Sequence, residues 1–324
     1  MSKNVSAPPT VTLAVFRLAA LFTFLAVAMG AVVCATKSGA SCPTWPGCRP
    51  NQLTPQWQLN PIIEFTHRVI AIAAGPLVLA AAVMSIRRSG RDWRVRILPW
   101  VALVGALASG AFGRLVVLSS LPTWLGAVDL FCALAAMTVM GVAAVIACAP
   151  ATNSMSRSVA ERRSLQMSCR LAAMSVTVMI VMHATGIFAA GTGSYTRCMG
   201  WPLWKLINSD PHPWLGGLRL GLAGLGAALV VTTAVVTART VQFRRWGIAV
   251  AALFATEMLL GLMIRSWGFN TGVAAAYSVL AVALLWSMGL LMAVAGAARV
   301  ATDVVPPQPA ALRGEPAQLS RVIS

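Results

Sequence analysis

The chain has 324 residues, of which 58% are apolar or aromatic and only 10% are charged, with a formal net charge of +17 and a mean hydropathy of +0.78. A soluble domain carries about 25% charged residues, so this sequence lacks the polar surface to coat a globule. The basic excess would suit nucleic acid in a soluble chain, but its placement along this one follows membrane topology and argues against a nucleic-acid partner.

A helical bilayer span needs about 20 mostly apolar residues. Such stretches run over 18–36, 62–86, 97–118, 124–148, 170–190, 214–238, 246–264 and 272–297. The first has a long apolar core with no clean A-x-A site after it, and is expected to stay as a span rather than act as a cleaved signal. With both tails and the connections after spans two, four and six on one side, 17 of the 25 Lys and Arg residues fall on or near that side, including Arg87, Arg88, Arg91, Arg94 and Arg96. This positive-inside bias predicts cytoplasmic termini in a bacterial-type cytoplasmic membrane, with membrane lipid, including anionic lipid of the inner leaflet, as a partner. The expected organisation is a cytoplasmic segment 1–17, a first four-helix unit 18–148, a cytoplasmic linker 149–169, a second four-helix unit 170–297, and a Pro-rich tail 298–324 that reads as disordered.

The halves echo each other. An offset of 156 superimposes Gly30, Thr36, Ser38, Cys42, Trp45 and Pro46 on Gly186, Thr192, Ser194, Cys198, Trp201 and Pro202. An offset of 151 aligns Arg68 with Arg219, and one of 148 aligns Gly113 with Gly261. Four spans per half make the repeats parallel, related by an axis along the membrane normal. The expected fold is therefore an all-α integral membrane protein, with eight transmembrane helices as two parallel pseudo-repeated four-helix units.

Cys34, Cys132, Cys148 and Cys169 lie in or beside apolar spans and are expected to behave as buried thiols. Cys42 and Cys48 lie in an outward loop with two intervening prolines, where an oxidising exterior favours a disulfide; free thiols and metal ligation are the alternatives. Within the second span, Glu64-Phe65-Thr66-His67-Arg68 puts His67 three residues and Arg68 four residues from Glu64, on one helix face. Ionisable groups at membrane depth are costly unless paired or functional. An imidazole can ligate an iron porphyrin, a carboxylate can move protons, and a guanidinium can bind a porphyrin carboxylate. The alternative is an interfacial Glu64–Arg68 pair with His67 in a structural hydrogen bond. Asp129 in span four is the first-half candidate to face His67, with Arg114 neutralising it or a ligand carboxylate. Glu257 suits a bundle hydrogen bond as well as proton transfer, His183 a structural role and His212 a loop, while Trp45, Trp57, Trp124, Trp201, Trp204, Trp214 and Trp267 form an interfacial belt.

Gly30 to Cys48 with its Ser-Gly-x-x-Cys-Pro-x-Trp-Pro-x-Cys ending, the Glu64–Arg68 string, the eight spans and the echo at Gly186–Pro202 together resemble the heme A synthase family, the CtaA-type cytochrome oxidase assembly proteins. The resemblance covers about residues 15–297. It implies oxidation of a methyl group of heme O to the formyl group of heme A, with heme between the helices of each half, a heme O donor, a respiratory electron donor, and oxidase assembly or respiratory subunits as partners. Family members place a histidine in each of spans two, four, six and eight; here His67 matches, whereas Asp129, Leu218 and Tyr277 stand at the other three positions. The expected cofactor is thus at most one heme, in the first half, with His67 as iron ligand, Glu64 catalytic, and Arg68, Asp129 and Arg114 binding the cofactor. A noncatalytic structural membrane subunit is the alternative, and a transporter, suggested by the repeat alone, the third.

Overall fold

The computed structural model describes residues 10–86, 93–119, 122–149, 159–189, 198–202, 213–268 and 270–303. Within them the chain forms eight long helices: α1 (Thr10–Ala35), α2 (Leu59–Ile86), α3 (Trp93–Leu118), α4 (Thr123–Cys148), α5 (Val159–Ala189), α6 (Pro213–Arg239), α7 (Arg244–Trp267) and α8 (Thr271–Asp303). Each is long and apolar enough to cross a membrane. Hydrocarbon offers the backbone no hydrogen-bond partners, so an apolar run of this length closes its own i to i−4 bonds. Several helices outrun their apolar stretches: α1 starts at Thr10, α5 at Val159, and α8 continues to Asp303. Apolar length sets the crossing, whereas the helix persists into the headgroup region. Part of the expected linker (150–158), the tail from 304 onward, and Thr192, Ser194, Trp204 and His212 lie outside the described residues.

Local chemistry sets the sharpest turn. Gly268 ends α7 at φ +86°, a left-handed conformation that costs glycine little, and its N–H reaches Ile264 O at 3.1 Å. Asn270 then caps α8, its Oδ1 accepting from the N–H groups of Gly272 (2.9 Å) and Val273 (3.3 Å).

Each set of four helices closes a ring: α1 packs on α2, α2 on α3, α3 on α4 and α4 on α1, with the same order from α5 to α8. The rings meet through α4 against α8, flanked by α1 on α8 and α4 on α5. Exchanging α1–α4 for α5–α8 carries this set of pairings onto itself. At the centre of the seam, a Cβ on Gly141 would lie 2.9 Å from Trp286 Nε1, and one on Gly289 would lie 3.0 Å from Thr138 Cγ2. These two contacts are reciprocal at an offset of 148. Phe24 of α1 stacks on Trp286 at 4.6 Å between ring centroids.

The two rings are filled differently. One buried apolar cluster runs through the second ring and the seam, including Met179, Met182, Trp201, Tyr277, Leu285 and Met288. The cluster belonging to the first ring gathers Phe16, Ala20, Val78, Ala82, Leu103 and Met140, nearer the ends of its helices that face the α2–α3 connection. Toward the other end, α1 and α4 give Val27, Leu134 and Met137 to the cluster at the seam, while Gly30 lies against His67 and Gly113 against Asp129.

Candidate functional site

The α1–α2 connection is built around one guanidinium. Arg68, about 14 Å along α2 from Leu59 at 1.5 Å per residue, is buried and donates from Nε to Glu64 Oε1 at 2.9 Å. Its Nη2 donates to Cys42 O at 2.7 Å. Nη1 donates to Gly47 O at 3.0 Å and to Thr44 O, with Pro46 O at 3.5 Å. The loop thus curls its carbonyls around a cation whose charge Glu64 balances. Cys42 and Cys48 are joined by the expected disulfide, with Cα atoms 4.0 Å apart. Thr44 Oγ1 donates to Gly47 O at 3.0 Å, and the Trp45–Pro46 peptide is cis. A Cβ on Gly47 would meet Gln52 O at 2.6 Å, so the turn requires glycine. The expected carboxylate clamp for a cofactor at Arg68 is replaced by this loop clamp: the donors are committed to the protein's own carbonyls. Glu64, expected as a catalytic group, is the counter-ion of Arg68.

His67 points to α1. A Cβ on Gly30 would lie 3.2 Å from its Cε1 and 3.7 Å from its Nε2, and the Ala26 backbone lies beside the ring. Glycine at 30 makes room for the imidazole. Its Nδ1 is buried and has no hydrogen-bond partner among the described residues. Asp129 engages α3 instead: Ser109 Oγ donates to its Oδ1 at 2.6 Å, and a Cβ on Gly113 would lie 3.4 Å from its Oδ2. Among the described residues Asp129 takes its hydrogen bond from Ser109, and none joins it to His67. Arg114 does not neutralise Asp129 either. It lies on the loop, its Cζ 5.4 Å from the ring centroid of Trp45, where a cation gains from the aromatic face. Among the described residues, no group of three or more His, Cys, Asp or Glu is placed to hold a metal ion.

The second ring repeats the loop clamp and fills the rest. Arg219, buried like Arg68, donates from Nη2 to Gly200 O at 3.3 Å; Gly200 stands where Thr44 stands in the first half, at the offset of 156. A Cβ on Gly186, the counterpart of Gly30, would lie 2.5 Å from Arg219 Nη2. The place taken by an imidazole in the first ring is here taken by a guanidinium. Trp45 is 40% exposed, whereas its counterpart Trp201 is 0% exposed. The Trp201 indole lies edge-on to His183 of α5 at 6.5 Å and to Phe254 of α7 at 5.3 Å. A Cβ on Gly226 of α6 would lie 3.2 Å from it, and Tyr277 of α8 donates to Trp201 O at 2.8 Å. All four helices of the ring hold this one residue. Leu218, beside Arg219, is exposed and has no donor atom for a metal.

One site feature ran against the sequence reading. Cys34, expected as a buried thiol, is disulfide-bonded to Cys198, with Cα atoms 5.4 Å apart and a sequence separation of 164. The bond ties the end of α1 to the α5–α6 connection, across the two rings. Its apolar neighbours masked Cys34, but its position one residue before the end of α1, on the side of Cys42 and Cys198, was the available signal.

No family model matches the chain. It is 28% identical to the heme A synthase of Symbiobacterium thermophilum over 217 residues, which cover 64% of this chain and 68% of that protein. The heme A synthase of Geobacillus kaustophilus is 26% identical over 281 residues, 81% of this chain and 83% of that protein. That of Bacillus licheniformis is 23% identical over 257 residues, 77% and 80% of the two chains.

Proposed function

We propose that this chain, 23–28% identical to the heme A synthases it resembles, is a divergent member of that family and serves cytochrome oxidase heme biosynthesis by holding a single heme-class porphyrin in its first ring at His67. One observation carries the reading: the asymmetry between Gly30, which seats an imidazole with a buried, unpartnered Nδ1, and Gly186, which seats Arg219. The first ring suits the group, offering at His67 a nitrogen with no hydrogen-bond partner among the described residues, beside Gly30. The second does not, because Leu218 cannot ligate, the Tyr277 hydroxyl is donated to Trp201 O, and the indole of Trp201 occupies the interior.

A bound heme supplies the iron redox chemistry. The chain's own residues do the rest. His67 would offer a nitrogen to hold the iron, while the Glu64–Arg68 pair and the Cys42–Cys48 bond hold the adjoining loop in one shape. Oxidation of heme O to heme A at this site, a heme O donor, a respiratory electron donor, and contacts with oxidase assembly or respiratory subunits belong to the same reading. So does the topology with both termini cytoplasmic. Two disulfides on the α1–α2 and α5–α6 side support it, since such bonds persist in oxidising compartments. The parallel repeat is supported by the reciprocal seam contacts and by the paired clamps Arg68–Thr44 and Arg219–Gly200.

A second reading, a noncatalytic structural subunit, draws on the full engagement of Arg68 and Glu64 with the protein itself. The purified protein's optical spectrum and heme content separate the two. Wild type supplied with heme O during production is expected to carry at most one heme per chain. His67→Ala should remove the heme or change its Soret spectrum, while Tyr277→Phe leaves both intact. Two hemes per chain, or an unchanged spectrum in folded His67→Ala protein, sinks the single-site assignment; no heme at all favours the structural subunit.

A further inference from the structure

Where α2 ends and α3 begins, at the opposite end of the bundle from the disulfides, the outer face carries a groove of about 410 Å³ lined by Ile86, Trp93, Arg96, Ile97 and Trp100. The α3 residues follow helical spacing: 93, 96, 97 and 100 are i, i+3, i+4 and i+7, one stripe. Val95 and Pro99 on the other face are buried in the first ring, whereas Ile86, Trp93, Ile97 and Trp100 are exposed large hydrophobics. The groove has a firm base. Ser85 Oγ, fully buried, donates to Arg96 O at 3.1 Å and to Ala82 O at 2.6 Å, tying the first turns of α3 to the last turn of α2.

We infer that this groove is a binding site for an anionic phospholipid, with the guanidinium of Arg96 on the lipid phosphate and the stripe of Ile86, Trp93, Ile97 and Trp100 along the lipid body. Charge complementarity selects this occupant. The sequence from 87 to 96 holds five arginines against one aspartate, the anionic inner leaflet attracts such a segment, and a guanidinium forks onto phosphate oxygens as an ammonium does not. The two indoles match the interfacial depth at which tryptophan settles. A soluble protein partner would find a face this apolar already covered by lipid, and free phosphate would leave the indole and isoleucine surface unused. The inference rests on the topology reading for the choice of leaflet, but the groove itself does not depend on any heme.

The full chain in nanodiscs of mixed phosphatidylglycerol and phosphatidylethanolamine tests it, with bound lipid read by native mass spectrometry after delipidation to the last retained molecules. Wild type is expected to retain phosphatidylglycerol over phosphatidylethanolamine. Arg96→Gln should lose about fivefold in that preference, the worth of one basic residue at an anionic surface, and Arg96→Lys should recover part of it. Trp93→Ala together with Trp100→Ala should lower retention of both lipids. Arg114→Gln, at the other end of α3, should leave the lipid preference unchanged. Equal retention of the two lipids by wild type, or an undiminished preference in Arg96→Gln protein with unchanged heme content and melting temperature, overturns the site; so does displacement of phosphatidylglycerol by millimolar inorganic phosphate.

Discussion

Arg68 and Arg219 do the same mechanical work with different neighbours. Each reaches a loop carbonyl at equivalent positions, Thr44 O and Gly200 O, but Arg68 has an acidic partner one helical turn away and Arg219 has Gly186 beneath its guanidinium. Arg68→Ala therefore removes a cation that several carbonyls share and leaves the Glu64 carboxylate buried alone. Breaking a buried pair from one side costs about 3–5 kcal/mol. The melting temperature of purified Arg68→Ala protein should fall sharply, that of Arg68→Lys by less, and that of Glu64→Gln least, because Gln still accepts from Nε. Equal stability of Arg68→Ala and wild type would remove the clamp from the account. The Glu64–Arg68 string was legible in the sequence from its spacing. Its purpose was not, because backbone carbonyls leave no trace in a side-chain pattern. The seat of Asp129 was hidden for a similar reason: Ser109 and Gly113 make it, and neither looks like a carboxylate partner when read alone.

At the scale of the helices, the close approaches are few and specific. A Cβ on Gly247 would sit 2.5 Å from Ala238 N and 2.6 Å from Ala234 O, so α6 and α7 touch through backbone just after the short turn at Val241–Phe243. No side chain can move aside there. Gly247→Ala should lower stability by about 1–3 kcal/mol, the usual cost of overfilling a packed interior. Gly224→Ala meets nothing within 4 Å and should gain about 0.5–1 kcal/mol, as alanine does over glycine within a helix. Thermal unfolding of the two variants in one detergent reads the contrast, and a stable Gly247→Ala protein would show that the helices part without penalty. The existence of all eight helices was legible from apolar run length alone. Their ends were not: α5 begins within a polar, basic stretch that hydropathy assigns to a linker, and helix propensity carries on where apolarity stops.

For the whole molecule, the Cys34–Cys198 bond sets what holds the two rings together. Cys42–Cys48 lies within the first ring, so it cannot bridge a cut between α4 and α5. With a protease site placed between 150 and 158 and cleaved, the fragments should stay together on a denaturing gel without reductant and separate with it. Cys34→Ser should abolish that linkage while leaving the cleavage intact. Fragments that separate without reductant would remove the bond from the native protein. The pairing of halves was partly legible, since the offset of 156 already placed Cys198 over Cys42. The counterpart of Cys48 is Trp204, which left Cys198 without a partner in its own half, and only the folded arrangement brings Cys34 to it.

That bond also imposes an order on biogenesis. Cys42 and Cys48 emerge almost together and have each other at hand, while Cys34, synthesised before either, must wait through four more membrane segments before Cys198 is made. In the proposed topology with cytoplasmic termini, the nascent chain presents three neighbouring thiols to an oxidising face during that wait, of which the right pair is the later two. The carbonyl cage around Arg68 draws Cys42 and Gly47 to one guanidinium, favouring the near pair and leaving Cys34 in reserve. In that topology a chain in which Cys34 has found Cys198 has already inserted α5, so the bond serves as a chemical receipt for the crossing of the second ring's first helix.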